Sequence, residues 1–536
     1  MKDTRVQLLD RKNNLLITRG GVHIIWIAGM AGSGKTSIAL TLCRMLAKEP
    51  TIVLGGTFFC SRSTGTVERT DVRCIIPTLA AILARRVPDY AEALADELKD
   101  DPDLAHKSID AQVEHFLARP LEGLKSFNHQ IVFVIDALDE CSDDEKLVEL
   151  INALASFTSP TPVKFLLTSR PEMHIRDTSI AETSLSSVVH LQAIDQIHVT
   201  TDIRLYIQKT LESRAVTSDW YTKHDLDELA KLSGGLFIFA STALAYILGR
   251  KDVPGRSERL RTVKMQTSTS ALATASLDNM YSLVLTHASD TDAFEPTELD
   301  EMRRIVAAIL SLRAPLTLRG LAEILGLTSE RLRGALGGLH AVIFVPDEDD
   351  EGELRTLHAS FGDFIFTRAP EHIRISKELG HDELTRGCLK RMTADDLCFN
   401  ISRSATSYRE NHENELETDD NGDDDNFDDD EDDEDDDYDE EEDEEDSGDD
   451  DSHNDDGDDG DDDKPNWIAN SLIYACIHWA HHVELSSVKS AFDNQINSVL
   501  RRKLLFWLEL LSIIGEVRRA SNLLRIAASV VSACPV

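Results

Sequence analysis

The sequence predicts an α/β fold built on a parallel sheet, with helical segments following it, and three observations carry that expectation. Apolar strand-like runs alternate with amphipathic helical stretches from about residue 21 to residue 195, as a sheet with helical crossovers requires. One of these runs, Ile24 to Ala28, ends in a glycine-punctuated turn that opens at once into a helix-compatible segment, Thr36 to Leu46. Beyond residue 195 the strand-like runs give way to patterns of helical period.

Residues 1 to 20 read as a short leader, amphipathic at best and too small for a domain of its own. The turn that follows, Gly29-Met30-Ala31-Gly32-Ser33-Gly34-Lys35-Thr36-Ser37, fits G-x-x-x-x-G-K-[ST], the phosphate-binding P-loop. Each residue type has a task there. Gly29, Gly32 and Gly34 permit backbone turns and close approach that a side chain would obstruct. The amides from Gly29 through Met30, Ala31 and Ser33 to Ser37, with the helix N-terminus behind them, aim donors at phosphate. Lys35 is a point charge for the β- and γ-phosphates, and the Thr36 hydroxyl is an expected Mg²⁺ ligand.

The remaining strands follow in order. Thr51–Cys60 is rich in β-branched and aromatic residues, and helices are expected at Pro77–Val87, Asp89–Leu98 and Ser108–Leu117. Gln130–Asp136 is a continuous apolar run ending in an acid, hence a buried central strand. Its carboxylate falls at the C-terminal end of a parallel strand, where such sheets bind ligands. Asp136 therefore suits the Walker B role of holding Mg²⁺, and Asp139 and Glu140, one turn further, suit a position beside the γ-phosphate and an attacking water. Val163–Thr168 is the next strand, and Arg170 beyond it would reach the same sheet edge as a γ-phosphate sensor. Ser187–Leu191 reads as a fifth strand.

GMAGSGKTS, VIDALDE and LLTSRPE together resemble the NACHT domain of the STAND class of signal-transducing NTPases. The resemblance continues through DIRLYIQKTL at Asp202–Leu211, SGGLFIFASTAL at Ser233–Leu244 and LDNMY at Leu277–Tyr281, in the manner of fungal NOD-like receptors. It implies a P-loop NTPase fold followed by a helical domain, a winged-helix domain and a C-terminal α-helical segment. It also implies a sensor strand between the P-loop and Walker B strands, self-association of the opened form, and a part in innate-immune signalling.

From about Glu295 to Pro370 the pattern is helix, helix pair and hairpin. Arg303–Leu312 is followed by Leu318–Leu325 and Thr328–Leu336 around Gly326, then by Ala341–Pro346 and Glu353–Leu357 across an acidic turn. The second helix of the pair offers only Arg331 and Arg333, and the domain is not basic, which argues against nucleic acid as a partner. The resemblance assigns another part to this region: His358, in LHASFGDF, would meet the β-phosphate of a bound diphosphate. Ala359 stands where the best-known form of that motif has aspartate, and Phe237 where related switches have an adenine-contacting proline.

The domain boundaries expected are a leader at 1–20, a NACHT domain at 21–195, a helical domain at 196–290 and a winged helix at 291–385. A connector at 386–412, an acidic insert at 413–463 and a helical segment at 464–536 complete the chain. The net charge of −42 is concentrated in the insert. Glu413 to Asp463 holds 36 acidic residues and no Lys or Arg, which leaves 55 basic against 61 acidic residues elsewhere, a difference of −6. Such a tract cannot order itself by apolar burial. It reads as a solvated linker, with docking of basic partners as the competing role.

The hydrophobic share of 41% suffices for cores. The eight cysteines show no C-x-x-C pair and no disulfide-framework spacing, which favours a reduced cytoplasmic setting. Leu236–Leu248 and Leu504–Ile514 are too short or too polar to span a membrane. His478 and His482 stand four apart on a helix, yet lack a third ligand and a general base, so packing is the expected role. The function these residues point to is a nucleotide-dependent switch that binds Mg²⁺ with ATP/ADP or GTP and hydrolyses slowly. Two alternatives are a scaffold acting through the acidic tract and a P-loop kinase.

Overall fold

The computed structural model describes residues 4–62, 67–124, 127–158, 161–172, 175, 186–191, 196–214, 220–249, 255–267, 273–289, 295–401 and 468–532. The acidic insert and Trp467 lie outside the described residues. The chain divides into two compact units, 1–387 with 485–488, and 388–484 with 489–536.

The first unit is built on a five-stranded sheet. Its strands are β1 (Ile24–Ala28), β2 (Ile52–Phe59), β3 (Gln130–Asp136), β4 (Val163–Ser169) and β5 (Ser186–His190), in the order β2-β3-β4-β1-β5. All pairings are parallel. β4 thus lies between the strand that feeds the P-loop and the strand that ends in Asp136, as the resemblance implied. The central strands are buried along their whole length, as a sheet covered on both faces requires. Alternation of side chains divides the core in two. Ile24, Trp26 and Ala28 of β1 join one cluster with Phe133 and Leu167, and Ile25 and Ile27 join the other with Val132 and Leu166.

The leader belongs to this domain. α1 (Val6–Ile17) packs on α2 (Lys35–Leu46), and Leu16 is fully buried in the second cluster. Three residues fasten it. Lys12 Nζ donates to Ser187 Oγ at 3.2 Å, Lys164 Nζ donates to the carbonyls of Leu15 and Thr18, and the Gln130 amide donates to Leu16 O. The expected boundary at residue 20 therefore cuts through a packed unit, because short-range patterning cannot reveal partners lying on β3 and β4.

The expected helix over Ser108–Leu117 is realised as an α-turn at Ile109–Gln112 running into a π-helical stretch, Val113–Ala118. After the sheet come helices Gln196–Ser213, Lys223–Leu232, Phe237–Leu248, Arg256–Thr267 and Ala273–Ala288. Thr222 and Asp225 form a reciprocal capping box on the second of these. Helices Pro296–Leu310, Leu318–Leu325 and Ser329–Ala335 follow, with Thr317 and Thr328 as side-chain N-caps and Gly326 at φ 67° closing the middle one. The two-residue strands β6 (Ile343–Phe344) and β7 (Arg355–Thr356) pair antiparallel.

The second unit includes helices Asp493–Arg502, Leu504–Ile513 and Ala520–Ser532, with most of Asn470–Leu485. Trp479 and Trp507 meet edge to face at 6.1 Å, and the Trp507 indole donates to Cys476 O at 2.9 Å. His482 Nε2 is hydrogen-bonded to the Tyr474 hydroxyl at 2.8 Å, and His478 is buried beside them. Among the described residues no helix is long and apolar enough to cross a membrane.

Candidate functional site

The P-loop runs from the end of β1 to the first residue of α2. Gly29 N–H donates to Ser169 O at 3.1 Å, which ties the loop's start to β4. Gly32 adopts φ 73°, and a Cβ there would lie 1.9 Å from Ile238 Cγ2. Only glycine fits both the turn and that approach. Ile238 N–H in turn donates to Gly32 O at 3.2 Å, so the start of helix Phe237–Leu248 sits directly on the loop.

Ala31, Gly32, Ser33, Gly34, Lys35, Thr36 and Ser37 line a cavity of about 310 Å³, a size suited to a small-molecule ligand. Asp139, Glu140, Arg170 and His358 line it too, as do Arg5, Tyr206 and Phe237. Gly29 and Met30, expected among the phosphate donors, do not line it. Their carbonyls accept from Lys35 Nζ at 2.9 and 3.3 Å. Asp136 does not line it either. It is buried behind the loop, where its carboxylate accepts from Thr168 Oγ1 at 2.6 Å and is hydrogen-bonded to Thr36.

Thr168 orients the whole corner. Its hydroxyl donates to Asp136 and accepts from Ala137 N–H at 2.9 Å. Ala137 is held at φ 55°, a left-handed conformation costing a β-carbon residue about 1–2 kcal/mol. That kink turns the chain so that Leu138–Glu140 forms a single 3₁₀ turn facing the loop. Burial raises the carboxyl pKa of Asp136, opposed by the bonds from Thr168 and Thr36, and burial also raises that of Glu140. Burial lowers the Lys35 ammonium, with Asp139 pulling the other way.

Arg170 is the hub of the charged rim. Its backbone N–H donates to Asp139 Oδ1 at 2.7 Å, and its Nε meets Asp139 Oδ2 at 2.9 Å. Its Nη1 donates to Asp363 Oδ2 at 2.8 Å, from the segment that follows β7. Burial works against its charge, yet the bond to Asp363 and the field of Asp139 raise its pKa overall. Glu140 is held from the other side, its carboxylate accepting from Arg62 N–H at 2.9 Å. The Arg62 guanidinium also donates to the carbonyls of Asp139, Glu140 and Cys141.

His358 is half-buried at the cavity wall. Ser360 N–H donates to its Nδ1 at 3.0 Å, which assigns the ring proton to Nε2. The Ser360 hydroxyl lies 2.7 Å from the same Nδ1 and 2.8 Å from the Tyr281 hydroxyl. Burial, then Arg170 and Lys35, push the imidazole pKa down to about 4, so the ring is neutral near pH 7.

Nucleotide and Mg²⁺ fit these residues. The Ser33 hydroxyl is buried without a hydrogen-bond partner, and Lys35 donates back to the loop carbonyls of Gly29 and Met30. Thr36 and Asp136 supply the oxygen donors that a hard cation takes.

The sequence reading missed Arg5, Arg62 and Asp363. Arg62 was within reach, since it follows a strand ending at the same sheet edge. Arg5 and Asp363 carried no local signal. It also missed that Cys60 and Cys141, 81 residues apart, bring their sulfurs to 3.6 Å.

Residues 4–170 match the family described as Nephrocystin 3, N-terminal. The chain is 24% identical over 313 residues to the vegetative incompatibility protein HET-E-1 of Podospora anserina, a match covering 56% of this chain and 21% of that protein. The chain thus spans about a fifth of that relative's length. Among solved structures, Cdc6p of Pyrobaculum aerophilum is 10% identical, with 72% of this chain and 94% of that chain covered and a TM-score of 0.31. The Aeropyrum pernix Orc1 protein, in complex with DNA, is 11% identical, with 71% and 92% covered and a TM-score of 0.29.

Proposed function

From a chain that carries a NACHT-like P-loop module of the fungal NOD-like receptor type, we propose a molecular switch whose state is set by the phosphates of a bound nucleotide. The observation that carries this reading is the bridging of Asp139 and Asp363 by Arg170 at the rim of the P-loop cavity. The P-loop, the start of helix Phe237–Leu248 and His358 line one cavity, and Arg170 ties its rim to Asp363.

The chemistry assigns each residue a part. The loop amides and Lys35 bind the phosphates, and Lys35 exchanges its two carbonyl partners for phosphate oxygens. Thr36 and Asp136 would hold Mg²⁺, which neutralises phosphate charge when bound. His358 offers Nε2–H to a diphosphate oxygen, and Ser360 with Tyr281 holds the ring for that donation. A γ-phosphate brings negative charge to Arg170 and competes with Asp363 for it. That competition is the differential free energy that moves the equilibrium between states. Asp139 and Glu140 are the residues beside an attacking water, but each carboxylate is already bonded, to Arg170 and to the Arg62 backbone. Turnover is therefore slow, and self-association belongs to the opened state.

Nucleic acid does not fit the helix pair. Arg331 pairs with Glu301 at 2.6 Å and Arg333 with Asp349 at 2.7 Å, so its cations are neutralised from within. The test is nucleotide occupancy and mass of the purified chain in ADP and in a non-hydrolysable triphosphate. The wild type should retain nucleotide and grow in mass only with the triphosphate, while Lys35→Ala should do neither. Equal mass in both nucleotides would sink the switch.

A further inference from the structure

Among the described residues three cations, Lys35, Arg170 and Arg5, line the cavity wall, and the first two are engaged. Lys35 donates to the carbonyls of Gly29 and Met30, and Arg170 pairs with Asp139 and Asp363. Arg5 differs. The residue is 9% exposed, and its Nε and Nη1 are buried with no hydrogen-bond partner. The carboxylate nearest in charge, Asp202, accepts from Arg5's own backbone N–H at 3.1 Å. The guanidinium instead lies over the Phe237 ring, 5.5 Å from its centroid. Its backbone is left-handed, φ 56°, a conformation that a side-chain-bearing residue keeps only when its surroundings insist.

Arg5 also stands apart from the phosphate end. Lys35 feels Asp139, Arg170, Asp136 and Glu140, whereas burial depresses the Arg5 guanidinium and Asp202 alone opposes it. Arg5 faces the cavity with Leu9, Tyr206 and Phe237, a wall of flat and apolar surface. Phosphates over the P-loop amides would place a nucleotide's base toward that wall. A buried guanidinium has five donors and no acceptor, and leaving it unpaired is costly.

We propose that Arg5 is the base-recognition residue of this pocket, donating to the acceptor edge of a 6-oxopurine, so that guanine nucleotides bind in preference to adenine nucleotides. The proposal rests on the nucleotide reading above. Guanine presents N7 and O6 as adjacent acceptors, whereas adenine sets an amino donor beside N7 and turns it toward a cation. Inosine keeps the oxo group without the 2-amino group and separates the two edges of guanine.

The experiment is calorimetric titration of the full chain with GDP, IDP and ADP in the presence of Mg²⁺. Wild type should bind GDP and IDP roughly ten- to a hundredfold more tightly than ADP, the discrimination one bidentate arginine supplies. Arg5→Met keeps an aliphatic stem on Phe237 but no donors, and should bring the three affinities within about twofold of one another. Without nucleotide it should melt no lower than wild type, because an unpaired buried cation has been removed. Should that variant not fold, Arg5→Lys carries the test, with an intermediate preference expected from a point charge. Equal wild-type affinity for GDP and ADP overturns the base assignment alone. So does a uniform loss for all three ligands in Arg5→Met with a lowered melting temperature, which marks a structural role. Binding of none of the three by wild type overturns the nucleotide reading, and this proposal with it.

Discussion

At the scale of single residues, Arg170 decides how the site responds. It is shared between two carboxylates on segments far apart in sequence, and neither pair is fully exposed. Asp363→Asn removes one charge from that competition while keeping the side chain's size. We expect it to weaken ADP retention roughly fivefold, about 1 kcal/mol for a partly exposed pair. Measured off-rates of a fluorescent diphosphate check this. Asp139→Asn should act differently, because Asp139 also receives the Arg170 backbone, and should impair tri- and diphosphate binding alike. His358 sets a pH dependence. Its pKa is about 4 in the folded chain against 6.5 for a free imidazole, so the native state favours the neutral ring. That contribution is whole above about pH 6.5 and is lost as pH falls toward 4. His381, lowered to about 4 mainly by burial, adds to the same window. Urea midpoints should therefore fall between pH 6.5 and pH 4, and His358→Gln should make that fall shallower.

At the scale of elements, the loop and the helix above it form one device. Gly32→Ala sets a Cβ against Ile238 and forces a left-handed alanine. It should cost about 1–3 kcal/mol in stability and abolish tight nucleotide binding. Adding Ile238→Ala removes the 1.9 Å contact with Cγ2 but leaves the Cβ of residue 238 at 2.6 Å and the backbone strain untouched, so thermal melts of the double variant should recover only in part. α1 is a second device. Leu16→Ala should cost about 2–5 kcal/mol, measured by urea unfolding, because the side chain lies in the core under the sheet. The P-loop, the strand ending in Asp136 and the strand before Arg170 were legible in sequence because their signals are contiguous. Periodicity, glycines and a terminal acid all sit within a few residues of one another. The bond of Arg5 to Asp202 spans 197 residues, and that of Arg170 to Asp363 spans 193. No local pattern encodes such partners, since they exist only once separate helices and strands have packed. Arg5 and Asp363 were unreadable for that reason.

At the scale of the whole molecule, charge is divided unevenly. Removing Glu413–Asp463 takes the formal charge from −42 to −6 without touching a residue of the cavity. If the tract is a solvated linker, its deletion should leave nucleotide affinity within about twofold at physiological salt, where screening acts over roughly 8 Å. Capture of basic proteins, compared with and without the tract, would reveal the docking role instead. The sheet carries one further consequence for measurement. Trp26, 2% exposed in β1, donates its indole N–H to Ser169 Oγ at 2.9 Å, and that hydroxyl donates to Arg170 O at 2.8 Å. The protein thus contains a native fluorophore wired to its hub arginine. A shift of Arg170 between one carboxylate and a phosphate would be written in the emission of Trp26, readable in stopped flow without any attached dye.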